Sequence, residues 1–357
     1  MSRLIRSISS TAVVCSLLAT SALADTAEGE HNASTAAPAG RAGVPFPDAP
    51  EIAPIGVRLD KYLDVPESAK GPPIDPTKGY RLEKLGRGLY MVTDNAYQSM
   101  FMVYESGVVV VDAPPSYAAK LKQAIAEVTN LPITHIIYSH SHTDHIGGAA
   151  LLGGHPVIVA QEETKRLLLR DADPARPIPT VVFKNSYRMQ LGSQRLELSY
   201  HGDGHEPGNI FIYAPEQKTL MVVDIVFPGW MPFRRFAVAH DLPGWMAQVE
   251  MIAKLPFDKL VAGHVARLGT RADVLTQIQF DNDVKNATAE ALKTIPFVDG
   301  INPADTGNPW ALTDDYTARV AGYCVKALTP KWSKRLGAFD TFVWDECYAM
   351  EQSLRVD

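Results

Sequence analysis

Cysteine is scarce in this chain of 357 residues, with only Cys15, Cys324 and Cys347. Basic runs are missing too: 34 Lys and Arg against 40 Asp and Glu leave a net charge of -6. That balance makes a nucleic-acid backbone a poor partner. Beyond the N-terminus no apolar stretch approaches the roughly 20 residues a membrane-spanning helix needs. The apolar stretch at the N-terminus itself, Ile8 to Leu18, is interrupted by Ser and Thr. It follows Arg3 and Arg6 and precedes Ala22-Leu23-Ala24, a small-x-small cleavage pattern. Residues 1–24 therefore read as a secretory signal, which implies a periplasmic or secreted protein with no stable membrane span after cleavage. Cys15 leaves with that signal. Cys324 and Cys347 are then either a disulfide or two free thiols, because spacing does not show whether their Cα atoms lie close enough.

Residues 25–81 are rich in Pro, Ala and Gly, as in STAAPAGRAGVPFPDAPEIAPIG, and read as an extended, loosely packed lead-in. Order is expected from residue 82. GLYMVTD, SMFMVYES and GVVVVDAP read as a meander of strands, and SYAAKLKQAIAEVT as a helix with Ser116 as its N-cap. THIIYS, PVIVA, LELSYH, NIFIYAP, TLMVVD and KLVAGH read as further strands, with EETKRLLLR and GWMAQVEMIAKL as helices between them. Meander and crossover connections together predict an α/β fold with mixed sheets over residues 82–270. Residues 271–357 hold two long helical candidates and are expected to form a helical extension.

Three of the chain's ten histidines fall in IIYSHSHTDHIGG, residues 136–148, directly after a strand. His140, His142, Asp144 and His145 are all metal-ligating types. His205, Asp224 and His264 each stand at or just past the end of another apolar strand, where sites assemble in α/β sheets. Imidazole and carboxylate together suit zinc, and also iron or manganese. Seven such groups exceed one tetrahedral ion and suit two, about 3.5–4 Å apart, with Asp224 able to give one oxygen to each. A closed structural site usually takes four ligands, often thiolates. No cysteine lies near this cluster, so an open, catalytic site is expected.

HSHTDH (residues 140–145) resembles the HxHxDH signature of the metallo-β-lactamase superfamily. GDGHEPGN, MVVDIVF and LVAGH resemble that family's later segments, in order. The resemblance implies an αββα sandwich of two mixed sheets flanked by helices. It implies His140, His142 and His205 for a first metal and Asp144, His145 and His264 for a second, with Asp224 between. Asp144 would also orient the attacking water. The implied cofactor is two Zn2+ per chain, with iron or manganese as alternatives.

The implied activity is hydrolysis of a small-molecule ester, lactone, thioester or amide by a bridging hydroxide. A β-lactamase is the alternative, although such enzymes commonly carry Cys or Ser where Asp224 stands. An iron-dependent oxidoreductase of the same fold is the reading from another class. Lactonases of the fold carry a Tyr three residues after the bridging aspartate, and this chain has Phe227 there. The segment VFPGWMPFRRFAVAHDLPGW follows Asp224. Trp230 and Phe233 are expected in an apolar substrate wall, with Arg234 meeting a substrate carboxylate and His240 nearby. His135, His155 and His201 read as structural or loop residues. The sequence does not fix an oligomeric state.

Overall fold

Val108 to Val111 form an unbroken apolar run because both faces of their strand are covered. Val109 and Val111 pack between two sheets, while Val108 and Val110 pack outward under a helix. The computed structural model describes residues 59–299 and 307–357. The expected signal segment, His31 and the lead-in up to residue 58 lie outside the described residues.

The first sheet has seven strands: β1 (Arg81–Gly86), β2 (Leu89–Thr93), β3 (Gln98–Tyr104), β4 (Gly107–Val111), β5 (Ile133–Ile137), β6 (Val157–Gln161) and β7 (Val181–Phe183), in that spatial order. The second has five: β8 (Ser186–Leu191), β9 (Gln194–Tyr200), β10 (Ile210–Ala214), β11 (Thr219–Val222) and β12 (Lys259–Val261). Helices are α1 (Ala118–Ala126), α2 (Thr143–Ile146), α3 (Glu162–Asp171), α4 (Arg234–Val238), α5 (Leu242–Ile252), α6 (Arg271–Thr294), α7 (Pro309–Trp332) and α8 (Phe339–Val356). Both sheets are mixed. Pairing is antiparallel from β1 to β4 and parallel from β4 to β7, then antiparallel from β8 to β11 and parallel for β11–β12.

The layers follow from the period-two alternation of side chains. Met91, Met100 and Ile137 of the first sheet meet Leu198, Ile212 and Met221 of the second between the sheets. Phe101, Val110 and Ile136 face outward onto Leu121 and Ile125 of α1. On the far side, Phe211, Leu220 and Val222 face Trp245 and Val249 of α5, and the same cluster runs on through α6, α7 and α8. The result is the αββα sandwich, with the C-terminal helices α6, α7 and α8 enlarging the helical layer on the second sheet. Trp245, Phe280 and Trp332 are fully buried there, and each such side chain stabilises by about 1.5–3 kcal/mol.

Two local expectations change. Ser116 does not cap α1: the N-cap is Tyr117 without a side-chain bond, and the Ser116 hydroxyl donates to Asp94 instead. The described end of the lead-in, residues 59–80, has little regular structure but is fastened down. Leu63 N–H donates to Asp340 at 2.6 Å, and the Ala69 carbonyl accepts from Trp230 Nε1 at 2.8 Å. Cys324 and Cys347 are bonded, joining α7 to α8. A crosslink closing a loop of this size stabilises by roughly 3 kcal/mol in the chain-entropy account. Among the described residues no helix is long and apolar enough to cross a membrane.

α8 also shapes the loop after Asp224. In α4, Arg235, Phe236 and Ala237 have φ of 56°, 53° and 58°, a left-handed turn. That conformation costs about 1–2 kcal/mol per non-glycine residue and needs compensation. Phe236 supplies part of it by burying its ring against Trp245. Two acids of α8 supply more: Glu346 accepts from Phe236 N–H at 2.5 Å, and Asp345 pairs with Arg234 at 2.7 Å.

Burial pushes the Glu346 carboxyl well above its ordinary 4.5, and Asp345 and Asp281 add to the rise. Above pH 4.5 the unfolded chain releases this proton while the folded chain keeps it. The stability it contributes is therefore full at low pH and falls as pH rises through the folded value. Glu346→Gln retains an acceptor for Phe236 and removes the titration. Urea unfolding from about pH 5 to about pH 8 should show a flatter pH dependence in the variant, with its advantage growing toward the alkaline end. Parallel curves would mean that Glu346 does not titrate in this way.

Candidate metal centre

Each site residue sits where a strand has run out of sheet. His140 follows β5, His205 follows β9, Asp224 follows β11 and His264 follows β12. α2 carries Asp144 and His145, with His142 at its N-cap. Gly263 has φ 82°, and a Cβ there would meet Val223 Cγ1 at 2.5 Å. Only glycine lets the chain turn His264 into the site at that point. Asp224 itself has φ 62°, which Asp tolerates better than most residues. Its carbonyl accepts from Trp245 Nε1 at 2.9 Å.

All seven sequence-predicted ligands converge. Asp224 Oδ2 lies 3.5 Å from His140 Nε2, 3.3 Å from His205 Nε2 and 3.3 Å from His145 Nε2. Its other oxygen, Oδ1, lies 3.2 Å from His264 Nε2. His205 Nε2 faces His142 Nδ1 at 3.2 Å, and His145 Nε2 faces His264 Nε2 at 3.1 Å. Asp144 Oδ2 completes the second group, 3.5 Å from His145 and 3.6 Å from His264. The side chains of Asp144 and His142 stay 44% and 35% exposed, whereas His140 and His145 are fully buried, so the site opens on the Asp144–His142 side.

Electrostatics tie the cluster together. Burial pushes the Asp224 carboxyl up, but the adjacent His145 and His264 more than offset this and hold it well below the usual carboxylate range. Burial, reinforced by the neighbouring imidazoles, holds His140 well below 6.5. Burial lowers His145 as well, but Asp224 and Asp144 outweigh it and raise that imidazole to about 9. Burial alone would raise Asp144; hydrogen bonding to His264 and the charge of His145 bring it below 3.8.

The donors fit a metal. His140 Nε2 and Asp224 Oδ1 are buried, point into the cluster and have no hydrogen-bond partner. Buried polar atoms are normally paired. Two imidazole nitrogens facing each other cannot both donate and both accept. A cation between them resolves both conflicts. The clusters His140-His142-His205-Glu206, His140-His145-Asp224 and Asp144-His145-His264 each have ligand atoms within 4.8 Å of one another. They suit a divalent ion.

Three groups escaped the sequence reading. Glu206 is buried, and its Oε2 lies 2.6 Å from His142 Nε2. It sits beside His205 in GDGHEPGN, and that adjacency was the available signal. Asp112, just past the end of β4, accepts from Ser139 N–H at 2.8 Å and so fixes the turn before His140. Burial raises its carboxyl to about 6, less than it otherwise would because of His145. Tyr97 lies tilted against His264, ring centroids 4.6 Å apart, and meets His145 edge-on at 5.6 Å. Burial and the charges of Asp144 and Asp224 push its phenol up to about 12.

The residues expected in a substrate wall make contacts away from the cluster. Trp230 is tied to Ala69 and pairs with Gly337, Phe233 packs edge-on against Phe342, and Arg234 is paired with Asp345 over the Phe342 ring. These contacts are to the lead-in and to the segment from Gly337 into α8. The two helices expected after residue 271 do not include α8, although Phe339, Val343, Cys347 and Met350 recur at helical spacing, so these side chains have no partner in view. His240 is next to the site by its backbone: its N–H donates to the His205 carbonyl at 2.9 Å. His201 stands apart from the cluster, bonded to Ser199 and resting on Phe211. His135 is bonded to Thr134 in β5.

Residues 92–264 match the metallo-beta-lactamase superfamily, and through this segment the chain belongs to that superfamily. The chain is 27% identical over 206 residues to 2,4-dinitroanisole O-demethylase subunit alpha of Nocardioides sp. (strain JS1661), covering 56% of this chain and 61% of that one. It is 24% identical over 136 residues to metallo-beta-lactamase IND-1 of Chryseobacterium indologenes, covering 37% and 56%. It is 27% identical over 226 residues to hydroxyacylglutathione hydrolase of Prochlorococcus marinus (strain MIT 9301), covering 59% and 84%. The matches thus span less than two thirds of the length of the first two relatives.

His142→Ala should lower bound metal, read by elemental analysis of the purified chain; an unchanged content would remove His142 from the centre. Asp224→Ser should weaken the Asp144-His145-His264 group for metal more than the His140-His142-His205 group. Two titrations with equal losses would argue against a shared carboxylate.

Proposed function

We propose that this chain is a metal-dependent hydrolase acting on the carbonyl of a small ester, lactone, thioester or amide. The observation that carries this reading is the place of Asp224 between the two groups, with Oδ2 toward His140, His205 and His145 and Oδ1 toward His264. His140, His142 and His205 would hold one divalent ion and Asp144, His145 and His264 a second, with Asp224 serving both. Such ions polarise a carbonyl oxygen and acidify water.

The chain's own residues supply the rest. Asp144 is an ionised, partly exposed carboxylate at the mouth; with Oδ2 turned to His145 and His264, its other oxygen is placed to orient water and to take its proton. Phe227 rests its ring on His264 at 6.1 Å and has no proton to give. A hydroxyl comes instead from Tyr97, in the β2–β3 turn, whose ring lies against His264 and whose O–H is within reach of Asp144. With its pKa raised to about 12 it stays protonated at neutral pH and donates a hydrogen bond to a developing oxyanion. The bonded Cys324–Cys347 pair supports an oxidising, periplasmic or secreted location. The hydroxyacylglutathione hydrolase relative supports acyl hydrolysis, and the IND-1 relative supports the β-lactamase alternative. The relative named as an O-demethylase subunit favours a second reading, a reaction other than carbonyl hydrolysis, an iron-dependent oxidation among them.

Metal analysis with a panel of esters, lactones, thioesters, amides and β-lactams tests the reading. Zinc at about two per chain, with hydrolysis lost on chelation and restored by zinc, is expected. Iron with oxygen uptake and no hydrolysis would replace it with the second reading. Tyr97→Phe should lower kcat about 10- to 100-fold with KM little changed; a wild-type kcat would take the phenol out of the mechanism.

A further inference from the structure

The hydrolytic reading gives no task to Glu206, yet this is among the most deeply placed carboxylates of the chain. It is 2% exposed and lies beside His142 and His205, two histidines that face the metal centre. Its two oxygens have separate roles. Oε1 accepts from Ser141 N–H at 3.2 Å and from the Ser141 hydroxyl. Ser141 is itself held by the buried Arg176, whose guanidinium donates to the Ser141 carbonyl at 2.7 Å and is tied to Asp173 at 2.9 Å. Oε2 has no partner other than its 2.6 Å contact with His142 Nε2. The ring N–H does not point straight at that oxygen, and a turn of the imidazole within its broad χ2 well lines it up.

The opposite nitrogen of the same ring, Nδ1, faces His205 Nε2 at 3.2 Å and so points into the centre. A neutral imidazole carries its proton on one nitrogen and a lone pair on the other. A carboxylate 2.6 Å from Nε2 holds the proton there and leaves the lone pair on Nδ1 for a metal. We propose that Glu206 is a positioning residue that fixes the tautomer and orientation of His142, so that this histidine ligates through Nδ1. The inference rests on the metal-centre reading above. It adds what that reading lacks: a reason that the most exposed histidine of the first group is presented in one orientation.

The residue itself offers an alternative role. Glu206 is close enough to His140, His142 and His205 to be a direct ligand. Its anchoring argues against this, because Ser141 occupies Oε1 and His142 stands against Oε2.

The test is zinc binding by the full-length chain, measured by competition with a chromophoric chelator, together with 15N imidazole spectra of the zinc-loaded protein. Wild type should show His142 Nδ1 shifted by metal and an exchange-protected proton on Nε2. Glu206→Ala should bind zinc about 10- to 100-fold more weakly at the tighter site and lose the protected proton. Glu206→Gln retains a carbonyl that can accept from Nε2–H, and should keep the proton and recover most of the affinity. Should Glu206→Ala not fold, Ser141→Ala loosens Glu206 without removing it. A several-fold loss in that variant supports the positioning role, and wild-type affinity overturns it. Equal affinity in Glu206→Ala and wild type overturns the Glu206 assignment and leaves the metal centre standing. Glu206→Gln as weak as Glu206→Ala, with Nδ1 of His142 still metal-shifted, makes Glu206 a ligand and overturns it as well. A wild-type chain that takes up no zinc, iron or manganese overturns the centre itself.

Discussion

A single buried carboxylate, Asp224, holds the centre of this protein together. A charge removed from water is tolerated only when it is paired and hydrogen-bonded. Here the partners are four imidazoles: His140 and His145 from the stretch that runs from β5 through α2, His205 after β9 and His264 after β12. They are delivered from the ends of strands in both sheets, so the carboxylate is satisfied only when the two sheets are stacked in register. The left-handed backbone at residue 224 and the indole of Trp245 on its carbonyl fix which way the carboxylate points. Fold and centre are therefore coupled: the apolar layer between the sheets sets the strand ends, and the strand ends set the donors.

Other acids perform a comparable task at longer range. Asp112 fixes the turn into His140, and Glu206 stands behind His142. Farther out, Asp345 and Glu346 of α8 hold the strained turn that follows Asp224. The C-terminal helices thus act on the centre through the α4 turn. The disulfide between α7 and α8 stiffens the layer from which that hold is exerted.

Much of the architecture could be read in the residues. β3, β4, β6, β10 and β11 fall where apolar runs and alternation predicted them, since strands buried on both faces leave little freedom for polar residues. The seven candidate ligands come together because a polar, metal-ligating residue at the end of an apolar strand has few other uses. The residues are less legible where a side chain's contacts depend on a distant partner. Trp230, Phe233 and Arg234 have the composition of a binding wall, and no local pattern distinguishes that from packing. Their partners, Ala69, Phe342 and Asp345, lie far away in the chain, at separations of 161 residues for Trp230 and 111 for Arg234. Ser116 was similar: a good cap by type and position, diverted by Asp94 from the turn before β3.

The sequence by itself determined the layered α/β class, the candidate ligands and the divalent character of the ion such donors suit, because periodicity and donor chemistry are local properties. Only the tertiary structure decided which oxygen of Asp224 faces which imidazole, and which nitrogen of His142 faces Glu206 and which faces His205. It also brought Tyr97 and Glu206 to the centre, and it turned the loop after Asp224 toward α8. Those are matters of direction and distance between segments far apart in the chain, and they are fixed by packing the two sheets and the helices against each other.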